Sequence, residues 1–207
     1  MRKFSSNLIA LAALLSAALG GPAIAEDDLC AHDSGDTAIA ACTNDIESGR
    51  YSGHGLAAKY SNRGVEWNQK KEYERALADY SDAIRHDAKY ADAYYNRCIT
   101  YMRKEDYDRA IADCGRAIEL GPSANSWNAA SDTRLSNNQT HSDHFERRGI
   151  AYHYKQDFDR AIADYTEALR LYPDNARALD NRGRAYQAKG DSKRADADFE
   201  AAKRLRK

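Results

Sequence analysis

Four stretches of this chain are variants of one pattern. Asp157-Phe158-Asp159-Arg160-Ala161-Ile162-Ala163-Asp164-Tyr165 recurs upstream as Asp106-Tyr107-Asp108-Arg109-Ala110-Ile111-Ala112-Asp113-Cys114 and as Glu72-Tyr73-Glu74-Arg75-Ala76-Leu77-Ala78-Asp79-Tyr80, and a looser copy runs from Asp191 to Phe199. The spacing is regular: Ala76 to Ala110 is 34 residues, and Ala161 to Ala195 is 34 again. A period of that size constrains the fold more than any composition does. It means that one supersecondary unit is stacked on copies of itself, each burying its apolar face against the next.

Within a unit the small and aromatic residues fall at helical spacing twice. Tyr60, Gly64 and Trp67 stand at i, i+4 and i+7, and Ala76, Tyr80 and Ala83 repeat that spacing beyond the polar turn at Gln69-Lys70-Lys71-Glu72. Each unit therefore reads as two antiparallel amphipathic helices. Gly64, Ala76 and Ala83 mark where the helices come close, while Tyr60, Trp67 and Tyr80 fill the space around them, each contributing about 2–3 kcal/mol on burial.

These residues resemble the tetratricopeptide repeat family. The first copy matches it at Tyr60, Gly64, Trp67, Ala76 and Tyr80, with Ala88 where proline is usual. The second matches at Tyr94, Tyr101, Ala110, Ala117 and Pro122, with Cys98 in place of the glycine and Cys114 in place of the aromatic. The third supplies Phe145, Gly149, Tyr152, Ala161, Tyr165, Ala168 and Pro173, and the fourth Leu179, Gly183, Tyr186, Ala195, Phe199 and Ala202. Where the family has leucine before the glycine, this chain has Arg63, Arg97, Arg148 and Arg182. The resemblance implies an all-α fold, a helix-turn-helix repeat solenoid wound as a right-handed superhelix. It also implies a concave groove, lined by the first helix of each unit, that binds a protein or peptide partner. The positions carried over to that groove are Asn62, Val65 and Asn68, then Tyr95, Asn96, Ile99 and Met102, then Glu146, Arg147, Ile150 and His153, and last Asp180, Asn181, Arg184 and Gln187. Amides with moderately apolar neighbours suit an extended backbone whose side chains enter a few pockets. A carboxylate clamp is not expected, because Ser61 and Val65 occupy slots that would need basic and amide residues.

The ends carry their own signals. In the last copy Asp196 and Lys203 replace the apolar residues that a following unit would cover, as a terminal repeat requires. Near the other end, the stretch from Ala38 to Ile46 copies a second helix without room for a first, which reads as a half-repeat cap, and Glu47 to Gly55 reads as a glycine-rich loop. Arg2 and Lys3, the apolar run from Leu8 to Leu19, and Ala23-Ile24-Ala25 have the grammar of a secretory signal peptide cut after Ala25. The expected layout is then a signal at 1–25, cap and linker at 26–56, two units at 57–124, an insert at 125–141 and two units at 142–207. The insert follows from the 51 residues between Ala110 and Ala161, and its polar composition predicts a surface loop.

Export bears on the cysteines, since an oxidising compartment lets thiols pair. Proximity favours Cys30 with Cys42 and Cys98 with Cys114; the alternative for the latter two is that they are small buried apolar residues. Without the signal, 29 basic side chains face 32 acidic ones, a balance that offers no electrostatic footprint for nucleic acid. No stretch beyond the signal is a membrane-span candidate. Phosphate-cradling loops, the G-x-S-x-G elbow and H-E-x-x-H are all absent, so no catalytic, cofactor or metal site is expected. His141 and His144 read as exposed side chains, and the recurring Asp157, Asp159 and Arg160 read as turn and helix-start residues. The expected function is a monomeric, non-enzymatic adaptor of the bacterial envelope, periplasmic or secreted. The second reading is an accessory or inhibitory subunit of a cell-wall enzyme.

Overall fold

The computed structural model describes residues 29–121 and 133–207, without the side chains of 133–136. The expected signal at 1–25 and the first part of the expected insert, 125–132, lie outside the described residues. Among those described there are ten helices and no strand. After α1 (Leu29–His32) and α2 (Gly35–Glu47) come four hairpins: α3 (Gly53–Gln69) with α4 (Tyr73–His86), α5 (Ala91–Arg103) with α6 (Tyr107–Leu120), α7 (Thr133–Tyr154) with α8 (Phe158–Leu171), and α9 (Ala176–Ala188) with α10 (Ser192–Leu205). Each second helix packs on the next first helix, and the first helices also touch one another in turn, α3 to α5, α5 to α7 and α7 to α9. This is the all-α repeat solenoid that the 34-residue period predicts.

The turn inside each hairpin is written in its polar residues. Lys71, Glu105, Gln156 and Gly190 take positive φ, and the next residue, Glu72, Asp106, Asp157 or Asp191, donates its N–H at 2.9 Å to the carbonyl five residues back, at Trp67, Tyr101, Tyr152 or Tyr186. That is a Schellman closure of the first helix. In the last three hairpins the same aspartate then opens the second helix, its carboxylate accepting the N–H of Arg109, Arg160 or Arg194 at 3.0–3.1 Å. The arginine side chain lies over the ring that ends the first helix, Arg160 over Tyr152 at 4.6 Å and Arg194 over Tyr186 at 4.3 Å. The repeated acid and arginine are thus architectural, as their recurrence implies.

Between the two helices of a unit lies a seam with two layers. In one, a glycine lets an aromatic ring touch backbone: a Cβ built on Gly64, Gly149 or Gly183 would sit 2.7 Å from the ring of Tyr80, Tyr165 or Phe199, each 16 residues on. In the second unit the same two slots hold Cys98 and Cys114, joined as a disulfide with Cα atoms 5.5 Å apart. Cys42 occupies the corresponding slot of α2 and is bridged to Cys30, Cα to Cα 4.6 Å. A cystine therefore stands wherever the glycine and aromatic pair is missing. The other layer is electrostatic. Arg63, Arg97, Arg148 and Arg182 each make a bidentate pair with Asp79, Asp113, Asp164 or Asp198 at 2.7–2.8 Å, and the bonded carboxylate holds every guanidinium above its usual pKa. Three of the arginines also reach back to a hydroxyl of the preceding second helix, at Thr43, Ser81 and Thr166.

The units are also laced along the turn edge, where Lys70, Lys104, Lys155 and Lys189 pair with Asp36, Glu74, Asp108 and Asp159 of the preceding second helix. At the N-terminal end, α1 supplies one turn of the missing helix, and Asp45 receives Lys59 from α3 at 3.0 Å. Asp196 and Lys203 are exposed at the other end, as expected. Two boundaries differ from the sequence reading. Gly53, His54 and Gly55 belong to the first turn of α3 and not to the linker, and His54 there pairs with Asp87 after α4 and packs edge-on against Tyr90. The insert is not loop throughout: α7 starts at Thr133, so its last nine residues are helical, continuing a stretch that contains neither glycine nor proline to stop it.

Candidate functional site: the face of the first helices

Helices α3, α5, α7 and α9 carry the residues expected to line the groove. Asn62, Tyr95, Asn96, Ile99, Met102, Arg147, Ile150, His153 and Asn181 are all half-buried, while Arg184 is exposed. The structure brings several of them together. Tyr95 on α5 meets Arg147 on α7; burial pushes its phenol above the ordinary range, and the hydrogen-bonded guanidinium pulls the other way. His153 on α7 is held below the usual imidazole range by burial and by Arg184 across on α9. Asn181 donates to Glu146 at 3.3 Å. Met102 and Ile150 divide their surface between this face and the core, the first against Cys98, Ala110 and Cys114 and the second against Ala161, Tyr165 and Ala185.

Two residues expected on the groove surface are buried instead. Glu146 is fully buried, and its carboxylate is saturated: Arg177 donates from Nε at 2.8 Å and from Nη2 at 3.1 Å, and Asn175 donates at 3.0 Å, in addition to Asn181. It is a clamp between α7 and α9, buried with a hydrogen-bond donor on each of its oxygens. Asn68 is 8% exposed and accepts from Arg103 through its backbone and side-chain oxygens at 3.2 and 3.0 Å. The family resemblance placed both on the first helices but did not show that a partner from the next unit covers them. The available signal was an acid at a slot held by Ser61 and Tyr95 in earlier units.

The histidines depart further from expectation. His141 is half-buried with Nε2 3.2 Å from the Ile118 carbonyl, and His144 is fully buried against Tyr95, ring centroids 4.6 Å apart. Neither is the exposed side chain that its polar surroundings predicted; α7 turns both toward α5 and α6. Among the described residues, no three histidine, cysteine, aspartate or glutamate side chains converge where they would hold a metal ion. No described helix is long and apolar enough to cross a membrane. Of the carboxylates near the face, Asp143 and Glu146 are engaged by Arg177 and Asp180 by Arg206, which leaves this surface suited to hydrogen bonding and apolar contact.

Family models described as Tetratricopeptide repeat match residues 91–123 and 176–207, and one described as TPR repeat matches residues 149–190. The matched residues cover the second and fourth hairpins and the third from Gly149 onward, and the first hairpin has the same glycine and aromatic seam geometry. No curated protein sequence matches the chain. Among solved structures, one described as the crystal structure of MamA superposes with a TM-score of 0.67 at 21% identity, covering 83% of this chain and 88% of that one. BtubC (BKLC) from P. vanneervenii gives 0.67 at 20% identity, over 82% and 70%. The first TPR of Spaghetti (RPAP3), solved with an HSP90 peptide, SRMEEVD, gives 0.56 at 22% identity, over 69% and 99%. At these identities the likeness is one of fold.

Proposed function

We propose that this chain is a non-enzymatic scaffold of the bacterial envelope that holds a protein or peptide partner along its first helices. The observation that carries the reading is the half-buried row Asn62, Asn96, Ile99, Arg147, Ile150 and Asn181, which continues from one first helix to the next. A row of amides, aliphatic side chains and one guanidinium offers backbone hydrogen bonding with shallow side-chain pockets, the recognition suited to an extended segment. The RPAP3 repeat, solved with a peptide, supports use of this fold for such a ligand. Placement in the envelope is supported by the signal-like N-terminus and by two cystines that occupy core slots, which reducing compartments do not sustain.

Binding energy on such a face concentrates in a few anchors, here Tyr95 and Arg147, which meet at its centre. The test is capture of envelope proteins by cross-linking in cells, comparing the wild type with Tyr95→Ala plus Arg147→Ala. The double variant is expected to lose its specific cross-linked partner while keeping the wild-type helical spectrum. Retention of the same partner at wild-type yield would remove the assignment.

A further inference from the structure

The joint between the second and third hairpins differs from the others in three ways. The period there is 51 residues in place of 34. The arginine stitch is incomplete: Arg63, Arg97 and Arg182 reach a hydroxyl on the preceding second helix, whereas Arg148 faces Gly115, which has no side chain to offer. The third difference is the residue in the seam. At the slot filled by fully buried Ala93 in α5 and Ala178 in α9, α7 presents His144, also fully buried. Neither of its ring nitrogens has a hydrogen-bond partner among the described residues.

The surroundings of that ring are unsuited to a cation. From α5 it faces Tyr95, whose hydroxyl is already engaged with Arg147. From α6 the Ala117 carbonyl is the one group that favours the charged form; it falls short of ordinary hydrogen-bond geometry and is outweighed by burial and His141. One turn earlier on its own helix stands His141, centroids 6.1 Å apart, whose protonation would repel it. No acid is among the groups that act on it. A buried, unpaired imidazole packs acceptably while neutral, but a buried imidazolium without a partner carries a full desolvation penalty.

We infer that His144 is a proton-operated joint: in mild acid its imidazole takes a proton from solvent, and the packing of α7 on α5 and α6 loosens to hydrate the charge. The hinge thereby divides the solenoid into a part before residue 121 and a part after residue 133. Burial holds the folded-state pKa at about 4, below the ordinary value of about 6.5 that the unfolded chain retains. The unfolded or opened state therefore binds more protons between those values. The stability contributed by neutral His144 is complete above pH 6.5 and is lost as pH falls toward 4. Between pH 8 and pH 5 the folding constant should drop about 30-fold through this residue alone. Because Tyr95 lies directly on the ring, opening would also disturb the face assigned above, a consequence that rests on that assignment; the hinge itself does not.

The experiment is urea unfolding of the oxidised chain at pH 8 and pH 5 for the wild type, His144→Ala, which installs the residue that α5 and α9 carry at this slot, and His144→Gln. The wild type should lose about 30-fold more in folding constant than either variant over this interval; His141 and His153, also held low by burial, remain in all three proteins and cancel. Equal losses in wild type and variants would overturn the proposal. Should His144→Ala fail to fold at pH 8, the glutamine variant and an NMR titration of the wild-type His144 ring decide the matter. A ring that begins to titrate only below pH 5 supports the joint, and a midpoint near 6.5 overturns it. Hydrogen exchange at the two pH values, corrected for intrinsic rates, should show protection lost first in α7; loss starting at α2 or α10 would place the weak point elsewhere.

Discussion

Replacing Gly149 by alanine isolates the glycine and aromatic layer of the seam. Two opposing terms follow from the structure. A glycine inside a helix costs about 1 kcal/mol relative to alanine, so the substitution begins with that gain. Against it, the new Cβ would stand 2.7 and 2.9 Å from two atoms of the Tyr165 ring and 3.2 Å from the Asp164 Cβ. Tyr165 is 1% exposed, and Asp164 is fixed by the bidentate Arg148, so neither neighbour can yield without moving α8. Overpacking of a rigid site costs about 3 kcal/mol, the upper end of the usual range, for a net loss of about 2 kcal/mol. Gly183 provides the internal control. Its Cβ would meet Phe199 at the same 2.7 Å, but that ring is half-buried where Tyr165 is buried, and it can tilt outward. The net change there should lie within about 1 kcal/mol of zero. Thermal unfolding followed by circular dichroism should show Gly149→Ala lowered by about 4–8 °C and Gly183→Ala barely shifted. Combining Gly149→Ala with Tyr165→Leu should recover part of the loss, a coupling that only direct contact produces. An unchanged or raised midpoint for Gly149→Ala, or equal shifts for the two glycines, would refute the account of the seam.

Two further outcomes test the other layers. Cys98→Ala with Cys114→Ala should cost about 3 kcal/mol in urea unfolding under oxidising conditions, the value expected for a loop of this size; Cys98→Gly with Cys114→Tyr, which restores the pair used by the first and third units, should recover most of that loss and make this unit insensitive to reductant. Arg148→Leu, which installs the residue that the family prefers, should destabilise by about 3 kcal/mol, because Asp164 is left 5% exposed without its partner; Lys189→Ala, at an exposed pair, should cost less than about 1 kcal/mol in the same assay.

The legible part of this protein is what repetition exposes. Ala161, Tyr165 and Gly149 could be placed on a seam because the alanine recurs in three other copies and the glycine and aromatic pair in two, and Asp157 could be taken out of the candidate site because an acid recurs at its slot. The pairing of Arg148 with Asp164 was also available, since arginine and aspartate stand 16 residues apart in all four units, yet the spacing alone does not distinguish a bidentate pair from two solvated charges. The candidate face was legible as a set of positions on the first helices. Which of them remain half-exposed was not. Glu146 and Asn68 are covered by Arg177 and Arg103, and both arginines come from the neighbouring unit about one period away.

Local chemistry determined the hairpins: helical spacing of small and aromatic residues, an acid at each turn that closes one helix and opens the next, and apolar residues giving way to Asp196 and Lys203 at the last repeat. These depend on contacts within about 16 residues, so one-dimensional order suffices to specify them. Contacts across units were decided only by stacking. His144 is polar, next to a polar insert, and nothing in its vicinity along the chain would bury it; the approach of α5 and α6 does so. The cystines fall on the local side of that division: their partners stand 12 and 16 residues apart within one unit or cap, and chain proximity already favoured both pairings. A side chain's own spacing sets the face of the helix on which it lies, and the neighbouring unit sets whether that face meets water.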